Sequence, residues 1–483
     1  MRRTRREFLA HAGCGTLSAS ALLAGLGRFA LIDALAQSTA PTNYKALVCV
    51  FLFGGNDANN VVIPYTSYFD QGGYNDVRGS AVFAVPQADL LQINPPSVPG
   101  ITFGLHPRLA DAFGGNPSLF DVWNQGNVGI VCNTGPLIQP VTRDQYLAGL
   151  AHPYQLFSHS DQQNLWQTSY ANGPKQTGWG GSTVDRTGGS GGNFPAIASV
   201  AGVTVFSTGL NTRPLVLSPA PTALNATLKL FKYGNNPPEQ AILDALTSDE
   251  QDPMPALVQG AAKITSSALD ASASLSTDPT INTAFPNSSL GNQLKQVAKL
   301  ISIAPQLGVN RQVFFASLGG FDTHTGQGAF NTNNGQAGLL SQLSQAIGAF
   351  YNATVEIGLA NQVTLFTSSD FSRTFKPGDP NGTDHAWGSH HFVVGGAVLG
   401  GDFYNQYPPL VLGNLQDTDA GSGARGRWIP TASVDQYAAT LADWYGLAQS
   451  DRPLVFPNLG NFSPQTLGFM STAGGAAARG RRR

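Results

Sequence analysis

The apolar stretch ALVCVFLF, residues 46–53, leads directly into the polar tetrapeptide Gly54-Gly55-Asn56-Asp57. Two later runs, residues 312–318 and 362–368, have the same apolar character and also end in polar clusters. Runs of this length that are rich in Val, Leu and Phe are typical of strands buried on both faces of a sheet. They predict an α/β fold in which a mixed, mostly parallel sheet is flanked by helices.

Acidic and histidine residues gather in these clusters. The second run precedes Gly319-Gly320-Phe321-Asp322-Thr323-His324, the third precedes Asp370, and a fourth cluster lies in residues 384–391. The carboxyl ends of parallel strands meet at one edge of a sheet, where ligands bind in α/β proteins. The pattern therefore predicts one metal site with the following candidate ligands: Asp57, Asp322, His324, Asp370, His385 and His390.

Three details refine this ligand set. Asp322 and His324 alternate around one residue, so they point the same way on an extended backbone. His390 and His391 point to opposite faces once the strand has begun, so only one of them is expected to bind. Asp57 has an alternative role in an Asx turn. Imidazole and carboxylate together favour zinc, iron or manganese over calcium.

A nucleophile is expected in the segment FSHSDQQ, residues 157–163, which leads into a helix predicted over 161–170. Ser160 with Gln163 fits a capping box. That leaves Ser158 for chemistry and His159 as a general base or a ligand, although both serines could simply cap the helix. Arg373 either pairs with Asp370 or holds an anionic substrate.

The two ends of the chain differ from its body. Residues 1–36 combine Thr4-Arg5-Arg6-Glu7-Phe8-Leu9 with a weakly apolar stretch and Ala34-Leu35-Ala36, which indicates a cleaved twin-arginine export signal. We therefore expect the translocase as a partner during export, a periplasmic or secreted protein, and no stable membrane span after cleavage. Residues 472–483 are almost wholly Gly, Ala and Arg and predict a disordered tail.

The body, residues 37–471, is predicted to be a single domain. Residues 193–310 contain no histidine and read as a largely helical insertion or cap. Helices are also predicted over 106–125, 336–359 and 433–445, and short strands over 203–207 and 215–218.

Cys49 and Cys132 lie in strand-like runs and are either two buried thiols or a disulfide bridge between neighbouring strands. Outside the two basic ends the chain has 18 basic and 27 acidic residues, which excludes a basic face for nucleic acid.

Several motifs together resemble one bacterial family, the domain of unknown function 1501. They are FLFGGND (51–57), FSH (157–159), GGFDTH (319–324), SDFSRT (369–374), DHAWGSHH (384–391) and residues 430–437. That family is similar to the alkaline phosphatase and sulfatase superfamily, which implies an alkaline-phosphatase-like fold, two metal ions and a Ser, Thr or formylglycine nucleophile. Phe371 stands where the superfamily commonly has a ligand histidine, and the sulfatase signature is absent around Ser158.

The resemblance implies an exported metal-dependent hydrolase of phosphate or sulfate esters. One or two divalent ions, zinc first and manganese, iron or calcium as alternatives, would act with Ser158 on a small-molecule or polymer ester. The rival hypothesis is a non-catalytic exported protein that kept the fold to bind envelope polysaccharide or a protein partner.

Overall fold

The computed structural model describes residues 44–188, 194–227, 265, 268, 270–378 and 381–471. The predicted export signal and tail, and the middle of the predicted insertion, lie outside the described residues. The described residues within 44–227 and 277–471 form one compact unit. The described residues within 265–276 belong to a second unit, in which residues 270–274 are helical. In the described part of the chain no helix combines the length and apolarity needed to cross a membrane.

The secondary structure of the large unit consists of strands, α-helices and short 3-10 helices. The strands are β1 (Lys45–Leu52), β2 (Val62–Pro64), β3 (Leu91–Ile93), β4 (Phe103–Leu105), β5 (Val128–Gly135), β6 (Ile197–Ser199), β7 (Leu215–Val216), β8 (Arg311–Leu318), β9 (Val363–Ser369), β10 (Ser389–Val394), β11 (Phe403–Tyr404) and β12 (Ala432–Ser433). The α-helices are α1 (Tyr74–Arg78), α2 (Leu119–Asn124), α3 (Arg143–Leu147), α4 (His159–Thr168), α5 (Trp179–Thr187), α6 (Ser289–Ser302), α7 (Gly335–Glu356), α8 (Val434–Tyr445) and α9 (Arg452–Val455). The 3-10 helices are Ala58–Asn60, Gln87–Asp89, Pro107–Ala110, Leu224–Ala226, Gly421–Gly423, Gln449–Asp451 and Leu459–Asn461.

Nine strands of the described residues form one sheet in the order β11-β5-β10-β9-β1-β8-β6-β7, with β12 also paired to β5. All neighbouring pairs are parallel except those of β10, which runs antiparallel to β5 and β9. The predicted mixed, mostly parallel sheet is confirmed. Strands β2, β4 and β3 form a small antiparallel sheet.

The central strands form where the apolar runs predicted them. From Ala46 to Leu52 every residue of β1 is buried, and every residue of β9 is buried as well. One face of β1, which carries Leu47, Cys49 and Phe51, packs in a core with Trp166 of α4 and Trp179 of α5. Helix α8 contributes to the same core and lies within the range predicted for it, 433–445. At its start Ser433 and Gln436 form a capping box. Helix α6 packs against α7 and β8.

Some sequence predictions differ from the structure. The helix predicted over 106–125 is interrupted after the 3-10 turn at 107–110, because Gly114, Gly115 and Pro117 disfavour helix before α2 begins. Residues 203–207 are not a strand. The segment 193–310 is not a separate cap over its whole length, since β6 joins the main sheet beside β8 and α6 packs on β8. Cys49 and Cys132 are both free and buried.

Candidate metal centre

The candidate site lies at the carboxyl edge of the sheet, where β1, β9 and β8 are adjacent. The turn after β1 passes very close to the loop after β8. At Gly54 the backbone has φ +111°, and an added Cβ would lie 2.3 Å from the backbone nitrogen of Asp322. Only glycine tolerates both this dihedral angle and this approach. The tight turn therefore allows the loop that carries Asp322 and His324 to pack against the end of β1.

Four side chains from three chain segments converge at this edge. His159 is the first residue of α4, Asp322 and His324 follow β8, and His385 precedes β10. Each offers one ligand atom, and these atoms all lie within 4.8 Å of one another. His385 can reach the site because β10 runs opposite to its neighbours, so the start of β10 faces the ends of the parallel strands. The group can hold a metal ion.

In each of the three histidines, the ring nitrogen Nδ1 contacts an oxygen atom outside the group of four. The Nδ1 atom of His159 lies 2.7 Å from Asp370 Oδ2, and the Nδ1 atom of His324 lies 3.0 Å from Asp384 Oδ1. The Nδ1 atom of His385 lies 2.7 Å from the carbonyl oxygen of Phe157. Carboxylates and carbonyls accept hydrogen bonds, so these contacts assign the ring proton to Nδ1 in all three histidines. Metal-binding histidines are usually oriented in this way.

This tautomer directs unprotonated Nε2 atoms toward a common point. His324 Nε2 and His385 Nε2 are 2.7 Å apart, and burial lowers the pKa of His385 to about 4, so its ring is neutral at pH 7. His159 Nε2 is buried and has no hydrogen-bond partner among the described residues. Converging lone pairs repel one another unless a cation lies between them. The donor set therefore fits a divalent metal such as zinc.

Asp322 supplies the negative charge of the group. Its Oδ2 lies 3.5 Å from His159 Nε2 and its Oδ1 lies 3.3 Å from His324 Nε2. Burial acts to raise the pKa of Asp322, but the hydrogen bond and charge of Arg373 outweigh it and lower that pKa. The side chains of Asp322 and His324 are 49% and 45% exposed, so the centre opens to solvent on this side.

Asp370, a predicted ligand, lies behind the group instead of in it. Its carboxylate is fully buried, and Oδ2 accepts from Gln163 Nε2 at 2.9 Å besides contacting His159 Nδ1. Its Oδ1 accepts from the backbone N–H of Gly54 at 3.2 Å. Both oxygens are thus already used, and the role of Asp370 is to orient the imidazole of His159.

Asp57 is also placed away from the group of four. Its carboxylate forms a buried two-point ion pair with Arg78, at 2.8 and 3.0 Å, and accepts from Gln327 Nε2 at 2.6 Å. Both charged side chains are 0% exposed. The strand-end position of Asp57 therefore serves a structural ion pair, which corrects its assignment as a ligand.

His390 is likewise not part of the group. It lies within β10, where its Nδ1 accepts from the backbone N–H of Asn133 at 3.0 Å. Asn133 has φ +44° at the irregularity between β5 and β10. Burial lowers the pKa of His390 to about 3, so it is a neutral, internal histidine.

Arg373 is buried and cannot reach a substrate in solvent. Its guanidinium donates to the backbone oxygens of Gly54, Gly55, Phe321 and Thr383 and pairs with Asp322. Of the two roles considered for Arg373, the structure supports ion pairing, but with Asp322 instead of Asp370. It fixes the position of the one carboxylate in the group.

Helix α4, which lies in the segment where the nucleophile was predicted, begins at His159, two residues earlier than expected. Ser158, not Ser160, is the N-cap residue, and its Oγ donates to Asp161 Oδ2 at 2.6 Å. Gln163 donates to Asp370 and forms no capping box. Ser158 stands between Phe157, which anchors His385, and His159, which is itself in the group. The helix N-terminus also offers a partial positive charge at this point.

Three residues of the site were not among the predicted site residues, although one of them, Asp384, begins the fourth polar cluster. Asp384 anchors His324, and Arg425 and Arg427 contact Asp384 and the carbonyl of His385, respectively. The only signal for Asp384 was its position beside His385. The two arginines lie about 40 residues further on in a loop without a recognisable motif, so no sequence signal pointed to them.

The fold and site together define an α/β protein with a candidate three-histidine, one-aspartate metal centre at the carboxyl edge of its sheet. Residues 44–413 match the family described as protein of unknown function (DUF1501), and the chain belongs to that family. A search of curated proteins found no match.

Solved structures similar to this chain include a protein crystallised with a neocarrahexaose, a sulfatase and an alkaline phosphatase. Ps i-CgsB, crystallised in complex with k-i-k-neocarrahexaose, is 9% identical, with a TM-score of 0.32 over 86% of this chain and 74% of that chain. The PsFucS1 sulfatase from Pseudoalteromonas sp. is 10% identical, with a TM-score of 0.26 over 91% and 76%. Alkaline phosphatase from the Antarctic bacterium TAB5 is 11% identical, with a TM-score of 0.23 over 73% and 91%.

Proposed function

We propose that the chain is an exported metal-dependent hydrolase of phosphate or sulfate esters. The observation that carries the proposal is the convergence of three Nδ1-anchored histidines with Asp322 at a solvent-facing edge of the sheet. His159, His324, His385 and Asp322 would hold the ion, for which zinc is the first choice. When bound, a divalent ion acts as a Lewis acid that stabilises negative charge on the ester oxygens.

The centre would hold one ion. Among the described residues, a single group of at least three possible ligands is found. Asp57 is neutralised by Arg78, and both oxygens of Asp370 are engaged. Phe371 is buried against His159 and His385, with ring centroids 4.8 and 4.5 Å away, and offers no ligand atom. These contacts leave no donor set for a second ion beside the first.

Ser158 would be the nucleophile. Its hydroxyl already donates to Asp161, so the carboxylate can take the proton as Oγ attacks the phosphorus or sulfur atom. The bond between that atom and the ester oxygen breaks, and the ester oxygen takes the proton from Asp161 and leaves as the alcohol. Water then gives a proton to Asp161 as its oxygen attacks the same atom, and the proton returns to Ser158 Oγ as phosphate or sulfate is released. The N-terminus of α4 would favour the negative charge of the transferred group.

Metal analysis and ester hydrolysis test this function in the full chain. We expect about one equivalent of zinc in the wild type, and hydrolysis of p-nitrophenyl phosphate or p-nitrophenyl sulfate. His385→Ala should lose metal and activity together. Ser158→Ala should keep the metal and lose activity by about 100-fold or more. Ser218→Ala is the control, because Ser218 is an exposed serine in the loop after β7.

Other outcomes would overturn the proposal. A folded wild type that takes up no divalent metal has no centre, and a fully active Ser158→Ala has another nucleophile. Bound metal without hydrolysis of either ester would favour the rival function, a non-catalytic protein that binds envelope polysaccharide or a partner. One observation favours this rival function: four protein ligands also suit a structural zinc site.

A further inference from the structure

The loop between β11 and β12 is built around a buried aspartate. The carboxylate of Asp417 is 0% exposed and accepts from four backbone N–H groups at 3.0 to 3.1 Å. The donors are Gly413, Asp419, Gly426 and Arg427. Asp417 also forms an antiparallel bridge with Trp428, whose indole donates to Asn59. The loop is therefore held in one conformation.

This loop places two arginines beside the metal centre. Arg425 pairs with Asp384, the carboxylate that anchors His324. The Nε atom of Arg427 donates to the carbonyl of His385 at 3.1 Å, and its guanidinium lies 5.0 Å from the ring centroid of Phe157. Both arginines thus contact a residue that adjoins or anchors a candidate ligand.

Both side chains also reach solvent, in contrast to Arg373. The side chains of Arg425 and Arg427 are 32% and 25% exposed, whereas that of Arg373 is 0% exposed. A guanidinium has five N–H donors. Arg427 donates through Nε to the His385 carbonyl and through one terminal nitrogen to Asp419 at 3.5 Å. Donors of this kind bind tetrahedral oxyanions at two points.

We propose that Arg425 and Arg427 form an anion subsite at the rim of the metal centre, which binds the phosphate or sulfate group of the substrate. The subsite deepens the proposed function and rests on it for its role in turnover. It supplies the positive charge that Arg373 cannot supply, and it lies in a chain whose body is acidic. The Asp417 contacts hold the backbone beside Arg425 and Arg427, and Asp384 and the His385 carbonyl hold their side chains. This order before a ligand arrives reduces the ordering that binding requires.

Anion binding by the zinc-loaded full chain tests the subsite without requiring turnover. Inorganic phosphate and inorganic sulfate are titrated separately by calorimetry into the wild type, Arg425→Gln and Arg427→Gln. Each substitution should weaken binding of the preferred anion by roughly 10-fold or more, with zinc content unchanged. Arg427→Lys, which keeps the charge, should lose less. Arg452→Gln is the control, because Arg452 also forms a partly exposed ion pair, with Asp443, at the far end of α8.

Each outcome decides the inference separately from the function. Arginine-dependent anion binding in a protein that hydrolyses no ester supports the subsite and overturns the hydrolase. Ser158-dependent hydrolysis with unchanged anion affinity in both variants overturns the subsite and leaves the hydrolase. Loss of zinc in Arg425→Gln, or equal weakening in Arg452→Gln, would show a structural role and also overturn the subsite, as would a wild type that binds neither anion.

Discussion

Asp370→Asn is the most direct perturbation of the candidate metal centre. The carboxylate of Asp370 receives three donors, Gly54 N–H and Gln163 Nε2 together with His159 Nδ1. An asparagine has the same shape but only one acceptor oxygen. One of the two positions then carries an NH₂ group that faces a donor. Either His159 loses its anchor or the turn after β1 loses its contact.

The expected loss of metal affinity follows from this geometry. Removing the partner of a metal-binding histidine typically costs about 10- to 100-fold in affinity, which corresponds to roughly 1.4 to 2.7 kcal/mol. Because Asp370 is fully buried, water cannot take its place, and we expect the upper part of this range. Asp384→Asn should cost less, below about 10-fold, since the side chain of Asp384 is 33% exposed and water can replace it.

Competition with a chromophoric chelator measures zinc affinity for the wild type and both variants. Circular dichroism and thermal melts of the metal-free proteins establish that each variant is folded. If Asp370→Asn is folded and binds zinc within a factor of two of the wild type, then the buried Asp370 carboxylate does not govern metal affinity through His159. The predicted loss, and the role of Asp370 in orienting His159, would then be refuted. If Asp384→Asn has the larger effect, the argument from burial is wrong.

Two predictions concern stability. Asp57→Ala leaves the charge of Arg78 buried and unpaired, so the free energy of unfolding should fall by about 3–5 kcal/mol, while the metal content should stay unchanged. Urea unfolding measures the stability and elemental analysis measures the metal. Loss of metal at unchanged stability would contradict this prediction. The free energy of unfolding of the metal-free protein should also fall between pH 7 and pH 5. Burial lowers the pKa of three histidines to about 3, so between pH 7 and pH 5 only the unfolded chain takes up their protons. Each histidine therefore lowers the free energy of unfolding by about 2 kcal/mol in this range. These histidines are His106, His390 and His391. Burial raises the pKa of Asp435 to about 7, so the folded protein takes up a proton on Asp435 at a higher pH than the unfolded chain does. This raises the free energy of unfolding by about 2 kcal/mol over the same range and offsets part of the loss. His385, whose pKa burial lowers to about 4, adds a further loss of about 2 kcal/mol. Urea unfolding at the two pH values should therefore show a net loss of about 6 kcal/mol, and greater stability at pH 5 would disprove the assignment.

The sequence predicted the centre of the sheet well, because apolar runs of this length form strands whatever their neighbours are. Helix α8 was also predicted from a local signal, Ser433 as an N-cap residue, and the structure adds that Ser433 forms a capping box with Gln436. Asp322, His324 and His385 stood out because they follow or precede predicted strands, and the structure brings these three together.

The roles of the other polar residues depend on partners that the local sequence does not show. Asp57 and Asp370 both follow buried strands, but Asp57 pairs with Arg78 of α1 and Asp370 contacts His159 of α4. His390 depends on an irregularity in strand pairing that turns the backbone N–H of Asn133 toward it. Such pairings arise from tertiary packing, so sequence patterns alone could not distinguish a ligand from an ion-pair partner.

The central position of β1 has a consequence for biosynthesis. Lys45 in β1 pairs with Arg311 in β8, and Ala46 pairs with Val363 in β9. The strand at the middle of the sheet therefore emerges from the ribosome roughly 270 residues before its first neighbour, which is on the order of 10 to 50 s at ordinary elongation rates. During that interval an apolar edge is unpaired, and chaperone supply during synthesis should govern the yield of correctly folded protein.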